Sequence, residues 1–148
     1  MKKEVSSRSK KGFTLVELMA VIGVIGVLMA VVLVGASSSR KTANISTTAQ
    51  QIQLIYSACQ SWLGNGRTAY TGISLNALQA AGYLPATLNN PYGGTYTVAV
   101  NATDATQVDV SPTKIPDQAT HDEIASALSS ITKSAAYTAS SKTSKFTF

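Results

Sequence analysis

Charge is scarce in this sequence. Asp, Glu, Lys and Arg make up 13% of its 148 residues, against roughly 25% in soluble domains. Cysteine is scarcer still. Cys59 stands alone, so the fold must hold without an internal disulfide. Its neighbours at helical spacing, Ile52, Ile55 and Trp62, make it a buried small hydrophobe. There is one histidine, His121. A metal site needs several ligands, so a lone His far from the Cys holds none, and it reads as a surface residue. Asp104 and Asp109 read as solvated turn or strand residues, too few carboxylates for the six to eight oxygens of a calcium site. No Gly-rich phosphate loop, nucleophile motif or triad is present. The expectation is a protein with no catalytic residues, no cofactor and no metal.

The few charges are unevenly placed. In the first 12 residues Lys2, Lys3, Arg8, Lys10 and Lys11 stand against Glu4 alone. The rest of the chain carries seven basic and six acidic side chains. The excess of +5 is therefore a property of the N-terminus. It argues for membrane topology and against a nucleic-acid surface.

An apolar run comes directly after that basic segment. From Phe13 to Ala36 the one charge is Glu17. A helix of this length spans about 36 Å, enough for a hydrocarbon core of roughly 30 Å. Lys10 and Lys11 precede it, Arg40 and Lys41 come after it, and the imbalance favours a cytoplasmic N-terminus. A secretory signal peptide has a shorter apolar stretch and a small-x-small cleavage site. The run is too long for one, and Gly35-Ala36-Ser37 matches such a site weakly. A plain signal anchor for an unrelated exported domain is the other alternative.

Glu17 carries the most information. A charge at the centre of a membrane helix costs about 2.5–3.5 kcal/mol on insertion scales, and such residues usually have a partner. No basic residue lies within a turn on its apolar side. A cut between Gly12 and Phe13 would create an α-ammonium four residues before Glu17. Pairing of the two, within a chain or between neighbours, would register subunits, because a misplaced one would leave a charge buried alone.

The string Lys10-Lys11-Gly12-Phe13-Thr14-Leu15-Val16-Glu17 resembles the processing site of type IV prepilins and the related pseudopilins. The resemblance is tight over residues 10–36. It implies that a membrane peptidase cuts after Gly12 and methylates Phe13. It also makes Glu17 the acid of the inter-subunit pair. Expected partners are further copies of the chain, the prepilin peptidase, assembly platform proteins and the inner membrane. The expected course runs from inner membrane to extracellular pilus.

Downstream, Ile45, Ala49, Ile52, Ile55, Tyr56, Cys59, Trp62 and Leu63 recur at steps of three and four, a core-facing stripe. The spacing predicts one helix over 13–63, apolar over 13–36 and amphipathic over 37–63, stopped by Gly64-Asn65-Gly66. Gly23, Gly26 and Gly35 interrupt its apolar half, either as ordinary membrane-helix glycines or as points of melting or close helix approach. Type IV pilins often have a proline near the position of Val34, and this chain has none.

Residues 64–148 read as a head domain. Ser74 caps a short helix over Leu75–Ala81, ended by Gly82. Asn89-Asn90-Pro91-Tyr92-Gly93-Gly94 is a turn cluster. Strands are expected at 95–100 and 106–110, with Asn101–Ala105 closing a hairpin. Thr120 and Glu123 stand at capping-box spacing before the stripe Ile124, Leu128 and Ile131. Asp117, Asp122 and Glu123 suit that helix's N-terminal end by dipole. Residues 143–148 offer a last strand. The fold class is α+β: a helical spine on a small antiparallel sheet with short helices. The order Leu-x-x-Leu-x-x-x-Gly-x-Leu-Pro, Asn-Pro-Tyr-Gly-Gly, Ile-Pro looks like the type IVb pilins. Those usually carry a cysteine pair that this chain lacks. The 12-residue leader and Phe13 look instead like type IVa pilins or pseudopilins.

Three functions remain open. The first is a structural subunit of a type IV pilus. The second is a pseudopilin of a type II secretion or DNA-uptake system. The third is a membrane-anchored binding module that does not assemble. A tip adhesin or a DNA-binding minor pilin would need an exposed basic or aromatic patch, for which Arg67 and Tyr70 in the loop after the long helix are the best candidates.

Overall fold

The computed structural model describes residues 13–148, with the backbone alone for 33–37. The chain divides into two compact units, one ending at Ser39 and one beginning at Arg40. Helix α1 (Leu15–Leu63) supplies residues to both. Helix α2 (Leu75–Ala80), strands β1 (Tyr96–Val100) and β2 (Val108–Pro112), helix α3 (Gln118–Leu128), and strands β3 (Ser134–Thr138) and β4 (Thr143–Thr147) complete the order. The fold is α+β, a long N-terminal helix and then a four-stranded antiparallel sheet with short helices.

In the first unit the large apolar side chains lie open. Leu15, Val16, Met19, Ile22, Val27, Met29 and Val32 are all exposed. A Cβ placed on Gly23 or Gly26 would meet nothing within 4 Å, so no close approach inside the chain requires glycine there. Gly35 lies in the stretch described by backbone alone.

The second unit holds the core. Ile45, Ala49, Ile52, Ile55 and Cys59 are buried in α1, on the stripe their spacing predicts. Between them Thr48 is fully buried, and its hydroxyl donates to Asn44 O at 2.8 Å. No charged residue occurs between Lys41 and Arg67, so the outer face of this stretch is mainly Ser, Thr and Gln, with Leu54 exposed among them. The helix stops where Arg67 N–H returns to Leu63 O at 3.2 Å across Gly66, whose φ is +79°. Helix α2 begins as expected, with Ser74 Oγ accepting from Ala77 N–H at 3.1 Å.

The sheet order is β1-β2-β4-β3, each neighbour antiparallel. Val98, Val108, Val110 and Phe146 alternate toward the core, as period-2 geometry requires. Tyr56 of α1 stacks on Phe148 at 4.5 Å. Close packing before β1 is enforced by Gly94, where a Cβ would stand 2.1 Å from Thr113 O.

Three details depart from expectation. Strand β2 starts at Val108, two residues late, because Asp104 Oδ1 accepts from Thr106 N–H and Oγ1 at 2.8 and 2.6 Å and holds that segment in the turn. Helix α3 is capped by Asp117, whose Oδ1 accepts from Thr120 N–H at 2.7 Å. Thr120 is thus the third residue of the helix rather than its cap. Strand β3 is an element that the sequence pattern does not mark. Ser134 to Thr138 lacks apolar alternation, and four of its five residues are exposed.

Candidate functional site

The first turn of α1 contains a reciprocal cap. Thr14 N–H and Thr14 Oγ1 both donate to Glu17 Oε2, at 2.9 and 3.0 Å. Glu17 N–H returns a bond to Thr14 Oγ1 at 3.2 Å. This is a capping box, in which cap and third residue satisfy each other's otherwise orphaned donors. Reading Glu17 for its charge alone misses it. The Thr-x-x-Glu spacing is the signal that finds it. Oε1 takes no hydrogen bond among the described residues. Phe13, immediately before the cap, is 85% exposed. Gly12, and with it the bond expected to be cut, lies outside the described residues.

From this turn the helix runs apolar. Leu15–Val32 is long and apolar enough to cross a membrane, the one such stretch among the described residues, and none of it is buried in the chain itself. A basic segment, a capped acid and an apolar helix therefore occur in sequence within about thirty residues.

The polar groups of the second unit are mostly engaged in structure. His121 is not on the surface as expected. It is buried, its Nδ1 is 3.0 Å from Ser144 Oγ, and its ring stacks on Phe146 and Tyr137. Burial pushes its pKa below the usual histidine range, and nearby Asp122 only partly offsets this. Asp109 is likewise buried rather than solvated. Its Oδ1 accepts from Asn101 Nδ2 at 3.0 Å and Thr147 Oγ1 at 2.7 Å, and its Oδ2 is 2.6 Å from Lys145 Nζ. Burial raises its pKa, but the bonds from Lys145, Thr147 and Asn101 outweigh this and hold it below the usual carboxylate range. Both oxygens of Asp104 are taken by Thr106 and Gln107. Among the described residues no group of three or more His, Cys, Asp or Glu could hold a metal.

Cys59 is buried, and burial pushes its thiol up to about 12. The surface pair Arg67 and Tyr70 does not form. Tyr70 is buried and its N–H donates to Ala105 O, while the Arg67 guanidinium lies 3.9 Å over the Trp62 ring.

No curated protein and no solved structure matches the chain. Residues 7–33 match the family model of the prokaryotic N-terminal methylation motif. With that motif heading an exposed apolar helix, the chain carries the class III signal of type IV pilins, a signal that indicates a pilin-like or pseudopilin precursor.

Proposed function

We propose that this protein is a structural subunit of a type IV pilus. Residues 1–12 are the leader, 13–36 the membrane and assembly half of the spine, 37–63 its amphipathic half, and 64–148 the head. A prepilin peptidase cuts between Gly12 and Phe13 and methylates Phe13. The subunit waits in the inner membrane until platform proteins draw it into an extracellular filament of its own copies. The new α-ammonium of Phe13 then pairs with Glu17 of the same or a neighbouring chain. The role is structural, with no catalytic residues.

The observation that carries this reading is the methylation motif at the head of a helix whose apolar side chains, from Leu15 to Val32, nothing among the described residues covers. Such a surface requires lipid or further helices. Moving from lipid into a bundle gains little hydrophobic energy, so close packing and polar pairing must supply specificity. Among the described residues no donor reaches Oε1 of Glu17, which leaves room for an ammonium while Oε2 stays on the cap.

Intact mass and N-terminal sequence of protein from membranes and from sheared surface material test the reading. A chain beginning at methylated Phe13 and abundant in the sheared fraction is expected. The same mature chain confined to cells would assign it to a pseudopilin. A chain still carrying its leader in cells with active peptidase would leave a plain membrane-anchored domain.

A further inference from the structure

Among the described residues, strand β3 ends the sheet with no further strand on its outer edge. Phe148 N–H donates to Val108 O, on the register that sets Thr147 opposite Asp109 and Phe146 opposite Val110. Backbone groups alternate along a strand, so Phe146 and Phe148 turn theirs to β2, and Thr143, Lys145 and Thr147 turn theirs to β3. Their partners Ser134, Ala136 and Thr138 are thereby engaged. Ala135 and Tyr137 direct N–H and C=O outward.

Sheet edges are ordinarily guarded by charge, proline, a bulge or a covering element. Each edge strand has a helix in contact with it, α2 at β1 and α3 at β3, yet no backbone partner lies outside β3 in the sheet order. Ser-Ala-Ala-Tyr-Thr of β3 contains neither charge nor proline, and four of its five residues are exposed.

We propose that β3 is a self-association edge, through which two copies of this chain pair antiparallel about Ala136. In that register Ala135 of each copy lies opposite Tyr137 of the other, and all outward donors and acceptors of the two residues are met. Ala136 faces Ala136 at a close, non-hydrogen-bonded position, with Cα atoms about 4.5 Å apart. Its small side chain suits that distance. The strand carries no charge that would select a foreign sequence, whereas its backbone pattern is symmetric about Ala136.

One strand edge buries far less than the roughly 1,200 Å² of a stable complex. The contact is therefore weak between single chains and strong only where many copies act together. Subunits of a polar filament are related head to tail, and a two-fold contact cannot lie between them. If the chain builds filaments as proposed, β3 joins separate filaments side by side.

The test uses detergent-solubilised full chain, so it does not depend on processing or assembly. Ala136→Cys is oxidised with copper phenanthroline, with Ser126→Cys on the exposed face of α3 as control. Cys59 is buried and contributes no background. Disulfide dimer is expected to form roughly tenfold faster at 136 than at 126, the ratio set by about 1.4 kcal/mol. Adding Ala135→Pro deletes only an outward N–H, which an edge strand tolerates, and should bring the rate down to the control. Raising salt should leave the rate at 136 unchanged or increase it, by screening Lys133 and Lys142 at the strand's ends. Equal rates at 136 and 126, or no fall with Ala135→Pro, would overturn the proposal. So would control-level dimer together with salt-sensitive binding of an acid-flanked peptide, Asp-Ser-Ala-Ser-Ala-Ser-Asp, which would make β3 a site for foreign strands.

Discussion

Thr14 and Glu17 hold each other in place. The threonine gives two hydrogen bonds to one carboxylate oxygen, and the glutamate's own N–H returns to the threonine hydroxyl. Glu17 therefore has two separable roles, as the third residue of a capping box and as a charge.

Substitution can separate them. Glu17→Gln keeps an oxygen for Thr14 and loses the charge. Glu17→Ala loses both. If charge pairing governs assembly, both variants make processed subunits and few filaments, measured as sheared pilin relative to membrane pilin. Wild-type filament yield from Glu17→Gln would leave the cap as the operative role. Thr14→Ala removes the cap alone and should cost the helix start about 1 kcal/mol.

The second unit should weaken on mild acidification. Burial holds the His121 pKa below its ordinary 6.5, so the unfolded chain takes up a proton more readily than the folded one. The stability difference is absent above the unfolded pKa and grows as pH falls below about 6.5. Melting temperature should be flat from pH 8 to about 7 and decline below it. His121→Gln should remove most of that decline. Asp104, Asp109 and Asp117 have depressed pKa values. Their stabilisation is present above the ordinary 3.8 and is lost only as pH falls through lower values.

Asp109 of β2 joins three donors, Lys145 and Thr147 of β4 and Asn101 just after β1. Asp109→Ala strands Asn101, Thr147 and Lys145 together and should cost about 2 kcal/mol in denaturant melts, less than a fully buried pair because Lys145 is half exposed. A loss below a few tenths would show that the network carries no net stability.

Adjacent glycines should differ sharply. Gly93 has φ +70° with open space around it, so Gly93→Ala costs about 1 kcal/mol of backbone strain. Gly94→Ala would place its Cβ 2.1 Å from Thr113 O, and the backbone must move. It should cost several times more, or leave no cooperative melt.

Cys59 should be inert in the folded protein. Its thiol is buried and pushed up to about 12, and the thiolate is the reactive form. Iodoacetamide should label it only after denaturant is added, and labelling without denaturant would place it at an accessible surface.

Periodicity made much of the fold legible in the sequence. The stripe from Ile45 to Cys59 and the strand beginning near Tyr96 repeat at the period of their elements, and Ser74 is marked as a cap by its residue type before Leu75. Strand β3 is hidden because both its faces meet solvent and no alternation marks it. His121 reads as a surface group from its polarity, although it stands three and seven residues before Ile124 and Leu128, on their face of α3. Asp117 is obscured as a cap because Thr120 and Glu123 offer a second plausible start three residues later. At the candidate site the acid in the apolar run is visible from its rarity. Its partner Thr14 is legible only through the Thr-x-x-Glu spacing, which a reading of Glu17 for its charge alone passes over.

The two parts of α1 refer their stability to different solvents. The head half is measured against water, since its stripe is buried with the rest of its unit. The apolar half has no favourable state in water to be measured from. A melt of the purified chain thus reports on residues 40–148, while the surrounding medium, detergent, lipid or neighbouring helices, sets the free energy of the rest. No single number describes the unfolding of the whole molecule. For the first unit, folding and partition into a medium are one equilibrium.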